Sequence, residues 1–563
     1  MMKFFKSNIF AYIFVIILVG VMAFLLIKNA KDDSATTDEP IHILSGYEYW
    51  QKNYSVNPEH PPLGKQIATL PLELIIKPTL PIDIKFERAM NDYYYDSWNE
   101  TRSYAQNWLY NTSGNNPDKI VFSARLMVVF ATIFFAIALF FITRKWYGKT
   151  ASLITVFLFC LSPIILTHGH LANTDMWMTI GYFLAIFSLV WLLENPKISR
   201  IIIAAIIFSI ALLLKFSAVL LVPVLALLWL AKYYYSKKDQ KYSWYNFIKT
   251  TFVFLMVSLL FIWADYGFPT RFAPKLIHSS NYSYTNIPLQ TLAPILQHLP
   301  IPIYLKGLIM VFSSTLSYRN AFILGHSFSS GVWYYFPFAF LVKEPLSLLI
   351  LLFSGIFYWI FRKRKLEFRD WILIIPVSIY LLTSVTSKLN IGIRHLMPIY
   401  PFIFIFIGYF VSEFYEKYRS VYRTKLFTFY FLLFTLLAWY FYANILIYPY
   451  YMTYFNELAG GPKNGPNLLS DSNIDWGQDM KRLSNWLDEQ NITEPIKMEY
   501  FWSGYIQPEY YGINFVSLEQ NNPNQKGWIA IGTSALQVPE FNWLQNYQPT
   551  KIIGNSLYIY YVQ

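Results

Sequence analysis

Charge is scarce in this sequence, and cysteine scarcer still. Only 14% of the 563 residues are Asp, Glu, Lys or Arg while 55% are hydrophobic, so the chain cannot cover its apolar surface as a water-soluble globule. A polytopic membrane protein is the class that remains. The single cysteine, Cys160, lies inside an apolar run, which excludes an intramolecular disulfide. No D-x-D element and no histidine cluster at ligand spacing is present, so neither a metal nor another cofactor is expected. No internal repeat stands out either, although a carrier built from inverted halves would show one.

The net charge of +12 does not point to nucleic acid. The basic residues sit in short clusters between apolar runs, where the positive-inside rule places them. Aromatic residues at 20% agree, since Trp and Tyr collect at the two membrane interfaces. The first apolar run, 9–27, has 19 residues, enough to cross the hydrocarbon core. Lys28-Asn29-Ala30-Lys31 offers no small-residue cleavage site, so the run reads as an uncleaved anchor with a cytoplasmic N-terminus. Ten more runs follow at about 121–142, 151–166, 176–193, 201–214, 218–231, 251–266, 332–361, 371–386, 396–411 and 426–447. They bring the expected spans to about eleven. Threading them puts the clusters at 144–149, 197–200, 237–241, 362–365 and 417–425 inside, and the long loops 28–120 and 267–331 outside with the C-terminal tail.

After residue 447 the long apolar runs stop. Met480, Leu483 and Leu487 have helical spacing, 496–502, 528–531 and 551–562 look like strands, and Gly554-Asn555 suits a hairpin turn. The expected organisation is therefore a transmembrane region, 1–447, followed by a small extracytoplasmic α/β domain, 448–563. In the first outer loop the amphipathic stretch 63–70 suits a helix lying in the interface plane. Five N-x-S/T sequons, at Asn53, Asn99, Asn111, Asn281 and Asn491, fall outside in this threading.

Two features of the first outer loop carry chemistry. The acidic pair Asp38-Glu39 stands just past the first span, and carboxylates beside a bilayer are costly unless solvated or used. The same loop holds His60-Pro61-Pro62-Leu63-Gly64-Lys65, where a rigid Pro-Pro step followed by Gly-Lys reads as a shaped loop returning to the membrane. On these residues alone the pair is either catalytic or a solvated acid cluster with Asp32 and Asp33.

In this chain the loop motif is followed by Leu161-Ser162-Pro163, by His168-Gly169-His170-Leu171-Ala172-Asn173-Thr174-Asp175, and by Arg394-His395-Leu396-Met397-Pro398-Ile399-Tyr400-Pro401. This order resembles the protein O-mannosyltransferase family and its bacterial relatives, including the aminoarabinose transferases of lipid A. These are polytopic glycosyltransferases of the GT-C type. The resemblance covers about 30–410, and its most specific element is the HPPLGK hexapeptide. It implies a donor sugar on a polyprenyl phosphate and transfer on the extracytoplasmic face with inversion, without metal. It also implies that Asp38, with Glu39 beside it, supplies the base for an acceptor hydroxyl, a role helped by raised basicity in a partly desolvated cleft.

A leaving lipid phosphate needs cations at the membrane surface, and Arg394 is the first candidate because guanidinium binds phosphate bidentately. Lys215 and Lys343 resemble lysine-bearing elements of the family, with Lys343-Glu344 readable instead as an ion pair. His60 and Lys65 are expected to shape the site or touch phosphate. Asp175 opens a span and reads first as a helix cap, and Arg125 as an interface anchor or a partner for an acid. In the tail, Asp475 and Trp476 suit sugar recognition by hydrogen bonding and ring stacking, with a capping role for Asp475 as the other reading. This tail differs from the lumenal domain of the eukaryotic mannosyltransferases, which leaves protein, lipid or glycan open as acceptor. The expected setting is a plasma membrane, bacterial on codon-biased composition, with dimerisation open. A transporter or flippase of lipid-linked sugars and a non-catalytic envelope assembly protein are the readings of other classes.

Overall fold

The computed structural model describes residues 8–54, 56–80, 96–236, 244–268, 302–316, 320–362, 365–418, 423–500 and 507–563. Most of the second outer loop, with its sequon at Asn281, and the basic residues 237–241 lie outside them. Among the described residues, eight helices are long and apolar enough to cross a membrane, and a bent pair makes a ninth. The eleven apolar runs all fall on helices. A multi-pass helical membrane protein is the result.

Local sequence explains the breaks. Pro117–Cys160 is one 44-residue helical element capped by Asn116, whose side chain accepts from Lys119 N, and it kinks at Gly148 where φ is 89°. It stops at Cys160 because Pro163 opens a separate short helix, Pro163–His168. The expected single run at 332–361 is instead two helices, Tyr335–Lys343 and Leu346–Phe361, meeting at 117°. Pro345 has no N–H and forces Glu344 into an extended conformation (φ −98°, ψ 142°), so the helix cannot continue. The spans Asp175–Glu194 and Ile393–Tyr418 are the most enclosed, each with 83% of its apolar window buried, whereas Asn246–Asp265 has 17% buried and lies at the periphery.

The first loop folds down onto the bundle. Its helices are Glu39–Trp50, Pro62–Ala68 and Asp96–Gln106. The stretch expected to lie in the interface plane is instead packed inside, with Pro62, Gly64, Lys65, Gln66 and Ala68 all buried. Helix Glu39–Trp50 crosses it at Gly46, where a Cβ would collide with the Lys65 carbonyl, so the two helices meet backbone to backbone.

The tail begins with short 3₁₀ turns between 451 and 473, then a helix, Met480–Glu489. Strands β1 (Ala321–Ile323) and β2 (His326–Phe328) form a separate hairpin, and the tail adds β3 (Ile496–Glu499), β4 (Phe515–Ser517), β5 (Gly527–Gly532), β6 (Lys551–Ile553) and β7 (Leu557–Val562). Their sheet order is β4-β3-β5-β7-β6, with β3 parallel to β4 and β5 and β7 antiparallel to β5 and β6. Met480, Leu483 and Leu487 bury against Met498, Ala530 and Ile559 on one face, while Ile529 and Ile531 face Phe541 and Leu544 on the other. That alternation is the period-two pattern of a strand. Gly554 and Asn555, both with φ near 60°, make the expected hairpin turn; Trp502, at the end of the first expected strand, lies outside the described residues.

Candidate active site

The segment leaving the first span is pinned from three sides. Asp33 accepts from His170 Nε2 at 3.0 Å and from Arg482 Nη2 at 2.5 Å. Ser34 N and Thr37 N donate to the carbonyls of Gln478 and Trp476, each at 3.0 Å. Glu39 is fully enclosed. Its oxygens accept from Arg125 Nε at 2.7 Å and Nη2 at 2.6 Å, from Thr36 N at 2.8 Å, from Thr36 Oγ1 at 3.0 Å and from Ala172 N at 2.9 Å. Arg125 spends its remaining N–H groups on the carbonyls of Ala30, Asp33 and Ser34. The structure does not place Glu39 as the expected catalytic group: burial works to raise its pKa, but these five donors favour its ionised form and hold it below the ordinary value, which makes it a poor proton acceptor. Arg125 is likewise no interface anchor: it is the buried counter-ion that fixes this ledge.

Asp38 stands on the ledge with its side chain 17% exposed. Arg102 Nη2 donates to its Oδ1 at 2.7 Å, and Arg394 Nη2 is 4.0 Å from its Oδ2. Arg394 Nη1 donates to Asp175 Oδ2 at 3.2 Å, and Lys215 Nζ donates to Asp175 Oδ1 at 2.5 Å. The result is an alternating row: Arg102, Asp38, Arg394, Asp175, Lys215. Cations and carboxylates alternate along it, and the Asp471 carboxylate also acts on Arg394. The helices explain the meeting. Asp175 opens one span, Lys215 follows the end of the next, and Arg394 precedes Tyr400–Tyr418, so alternating directions bring all three to the end where the first span releases Asp38.

Asp175 was expected first as a cap, yet the N-cap is Thr174 and the Asp175 carboxylate is engaged with the two cations. Burial works to raise the Asp38 pKa, but Arg102 and Arg394 outweigh it and hold it below the ordinary value of 3.8. The raised basicity expected for Asp38 is thus absent while both arginines face it. His42, one turn along, is pushed down to about 3 by burial and is neutral. Its ring packs edge-on against His60 at 4.8 Å between centroids, and burial holds His60 well below its usual value too. His60 lines this side of the centre as a neutral ring.

Four other residues expected to touch phosphate or sugar are engaged within the protein instead. Lys65 is buried, donating to Tyr49 Oη at 2.8 Å and to Asn57 O and Oδ1 at 3.0 and 3.1 Å, with its pKa driven well down by burial. It ties the turn at Asn57 to the helix and is not placed as a phosphate ligand. Lys343 donates to the carbonyls of Met452 and Asn473 at 2.7 and 2.6 Å over the Phe455 ring, while Glu344 accepts from Tyr400 Oη at 2.5 Å. Lys343 therefore anchors the tail. Asp475 caps no helix, because the following helix has Asp479 at its N-cap; its Oδ1 accepts from Gly477 N at 3.2 Å instead. Trp476 is 2% exposed with its ring centroid 4.1 Å from Arg394 Cζ, so its face is not free for a sugar. Sequence reasoning missed Arg102, His42 and Ser472. Arg102 sits in a stretch without pattern, whereas Ser472 belongs to the Ser470–Asp479 segment already singled out. Among the described residues no group of three or more His, Cys, Asp or Glu side chains is placed to hold a metal ion.

Residues 108–263 match the family model for dolichyl-phosphate-mannose-protein mannosyltransferases. No curated protein matches the chain. Among solved structures it is similar to ArnT from Cupriavidus metallidurans bound to undecaprenyl phosphate, at 11% identity over 97% of each chain with a TM-score of 0.45. The apo form of that protein gives 12% identity over 98% of each chain and a TM-score of 0.45. The Archaeoglobus fulgidus oligosaccharyltransferase in complex with zinc and sulfate gives 13% identity over 94% of this chain and 71% of its own, with a TM-score of 0.44. The chain is thus a multi-pass helical membrane protein whose residues 108–263 are similar to the dolichyl-phosphate-mannose-protein mannosyltransferases.

Proposed function

We propose that this enzyme transfers a sugar from a polyprenyl-phosphate donor to a hydroxyl acceptor on the extracytoplasmic face, inverting the anomeric carbon. The observation that carries the reading is the row Arg102, Asp38, Arg394, Asp175, Lys215, in which Arg394 and Lys215, the cations proposed for a phosphate, stand beside an ionised carboxylate. Orientation follows from charge. The basic residues Arg144, Lys145, Lys149, Lys197, Arg200, Arg362 and Lys417 flank the span ends away from Asp38 in chain order, and the positive-inside rule supports a cytoplasmic side for them.

In the proposed reaction the donor phosphate takes over Nη groups of Arg394 and the Lys215 ammonium. The acceptor oxygen attacks the anomeric carbon from the side opposite the phosphate, and its proton passes to Asp38. The bond between the anomeric carbon and the phosphate oxygen breaks, and its electron pair leaves with the polyprenyl phosphate, whose charge the cations meet. Asp38 starts as a weak base because two arginines face it. A phosphate that shares the Arg394 Nη groups offsets their charge and lessens that hold, so donor binding precedes proton transfer. The proton moves late, when the attacking hydroxyl has become acidic through bond formation.

Purified protein in lipid vesicles, given radiolabelled polyprenyl-phosphate sugar and cell-envelope acceptors, tests this reading. Label should move to acceptor with release of one polyprenyl phosphate per sugar. Movement of intact sugar lipid across the vesicle without bond cleavage would establish the carrier reading instead.

A further inference from the structure

The tail segment 470–479 enters the charged centre from outside the helical bundle, and two of its side chains hold Arg394 where its carboxylate partners do not. Ser472 Oγ accepts from Arg394 Nε at 2.9 Å and donates to the Ile391 carbonyl at 2.6 Å. The Trp476 ring covers one face of the guanidinium. Asn473 Oδ1 accepts from Ile393 N at 3.0 Å, which fixes the backbone just before Arg394. Gly392 makes the approach feasible: its φ is 144°, and a Cβ there would collide with Ser472 Oγ.

These contacts determine which edge of the guanidinium faces the centre. Nε is spent on Ser472 and one face on Trp476, so the two Nη groups point at Asp175 and Asp38. That edge is the one a phosphate engages bidentately. The same tail also reaches the base, for the Trp476 carbonyl accepts from Thr37 N and Oγ1, one residue before Asp38. Trp476 N in turn donates to Gln478 Oε1 at 2.8 Å, which locks the turn.

We propose that Ser472 and Trp476 are positioning residues for the donor phosphate: they fix the plane of the Arg394 guanidinium and set it in register with Asp38. The inference rests on the reading of this centre as a donor-phosphate site. It gives the tail a part in the reaction, since two of the groups that complete the centre come from beyond the last span.

The test is binding of sugar-free polyprenyl phosphate to the full-length protein in vesicles of neutral phospholipid. Ser472→Ala and Trp476→Leu should each weaken binding about tenfold, the scale of one hydrogen bond to a charged group or one desolvated cation–π contact. Trp476→Phe should keep most of the affinity, because a ring face remains. In an Arg394→Lys background Ser472→Ala should change binding less than twofold, since lysine has neither the Nε donor nor the plane. Equal losses in both backgrounds would overturn the proposal by showing that the tail acts through general stability, and so would unchanged affinity in the single variants. The donor-site reading fails separately if Arg394→Ala binds polyprenyl phosphate as tightly as the native protein.

Discussion

Arg394 donates through Nη1 to Asp175 Oδ2 at 3.2 Å, joining the starts of two spans that lie 219 positions apart in the chain. The other Asp175 oxygen holds Lys215. A single carboxylate thus occupies both cations proposed for the donor phosphate, and keeps them paired where an unpaired charge would be expensive.

Replacing it tests whether an anion can take its place. Asp175→Asn removes the carboxylate that Arg394 and Lys215 share, and the loss of a buried partner costs about 3–5 kcal/mol. The expected outcome is a lower Tm in phosphate-free buffer, partly restored by inorganic phosphate at millimolar concentration. A Tm that phosphate does not move would show that these cations are closed to anions.

Glu39→Gln should act on stability first. Arg125 would be left buried beside a neutral amide, again at about 3–5 kcal/mol, and thermal unfolding should show it. The pair Glu39→Leu with Arg125→Met removes both charges and should recover part of the loss. Full stability in Glu39→Gln with abolished transfer would instead restore Glu39 to the chemistry.

Lys65→Met should likewise lower stability while leaving the donor KM within about twofold, because its ammonium serves Tyr49 and Asn57. A tenfold rise in donor KM at unchanged Tm would place Lys65 at the phosphate.

Asp475 carries a pH signature. Burial pushes its pKa up to about 7 from 3.8, and its Oδ2 has no hydrogen-bond partner. A raised acid pKa means that the folded state binds the proton more tightly than the unfolded one. Stability from this group is therefore full below about pH 4 and falls as pH rises toward 7, by a few kcal/mol at most. Asp475→Asn should flatten that fall, so its Tm gain over the native protein is larger at pH 8 than at pH 4. An equal difference at both pH values would contradict the assignment.

Much of this was legible in the sequence, for identifiable reasons. Membrane spans announce themselves because every residue in them meets hydrocarbon or another apolar helix, and the hairpin at Gly554-Asn555 because its backbone needs a left-handed pair. The gathering of Asp38, Asp175, Lys215 and Arg394 followed from alternating span direction. What stayed hidden was which ions pair. Glu39 and Asp38 are neighbours with equal chemistry, yet one faces Arg125 inside the ledge and the other faces the centre, a difference of side-chain direction that one sequence does not carry. The bend at Glu344-Pro345 was visible as a proline but not as a 117° turn. Lys65 looked like a phosphate ligand because its motif resembles the family's, while its burial depends on Gly46 admitting the helix.

The most direct measurement is transfer by Asp38→Asn beside its affinity for polyprenyl phosphate. The account predicts turnover lowered about 10²–10⁴-fold, the usual worth of a general base, with polyprenyl phosphate bound within a few-fold of the native affinity. Turnover close to native with that affinity intact would contradict it.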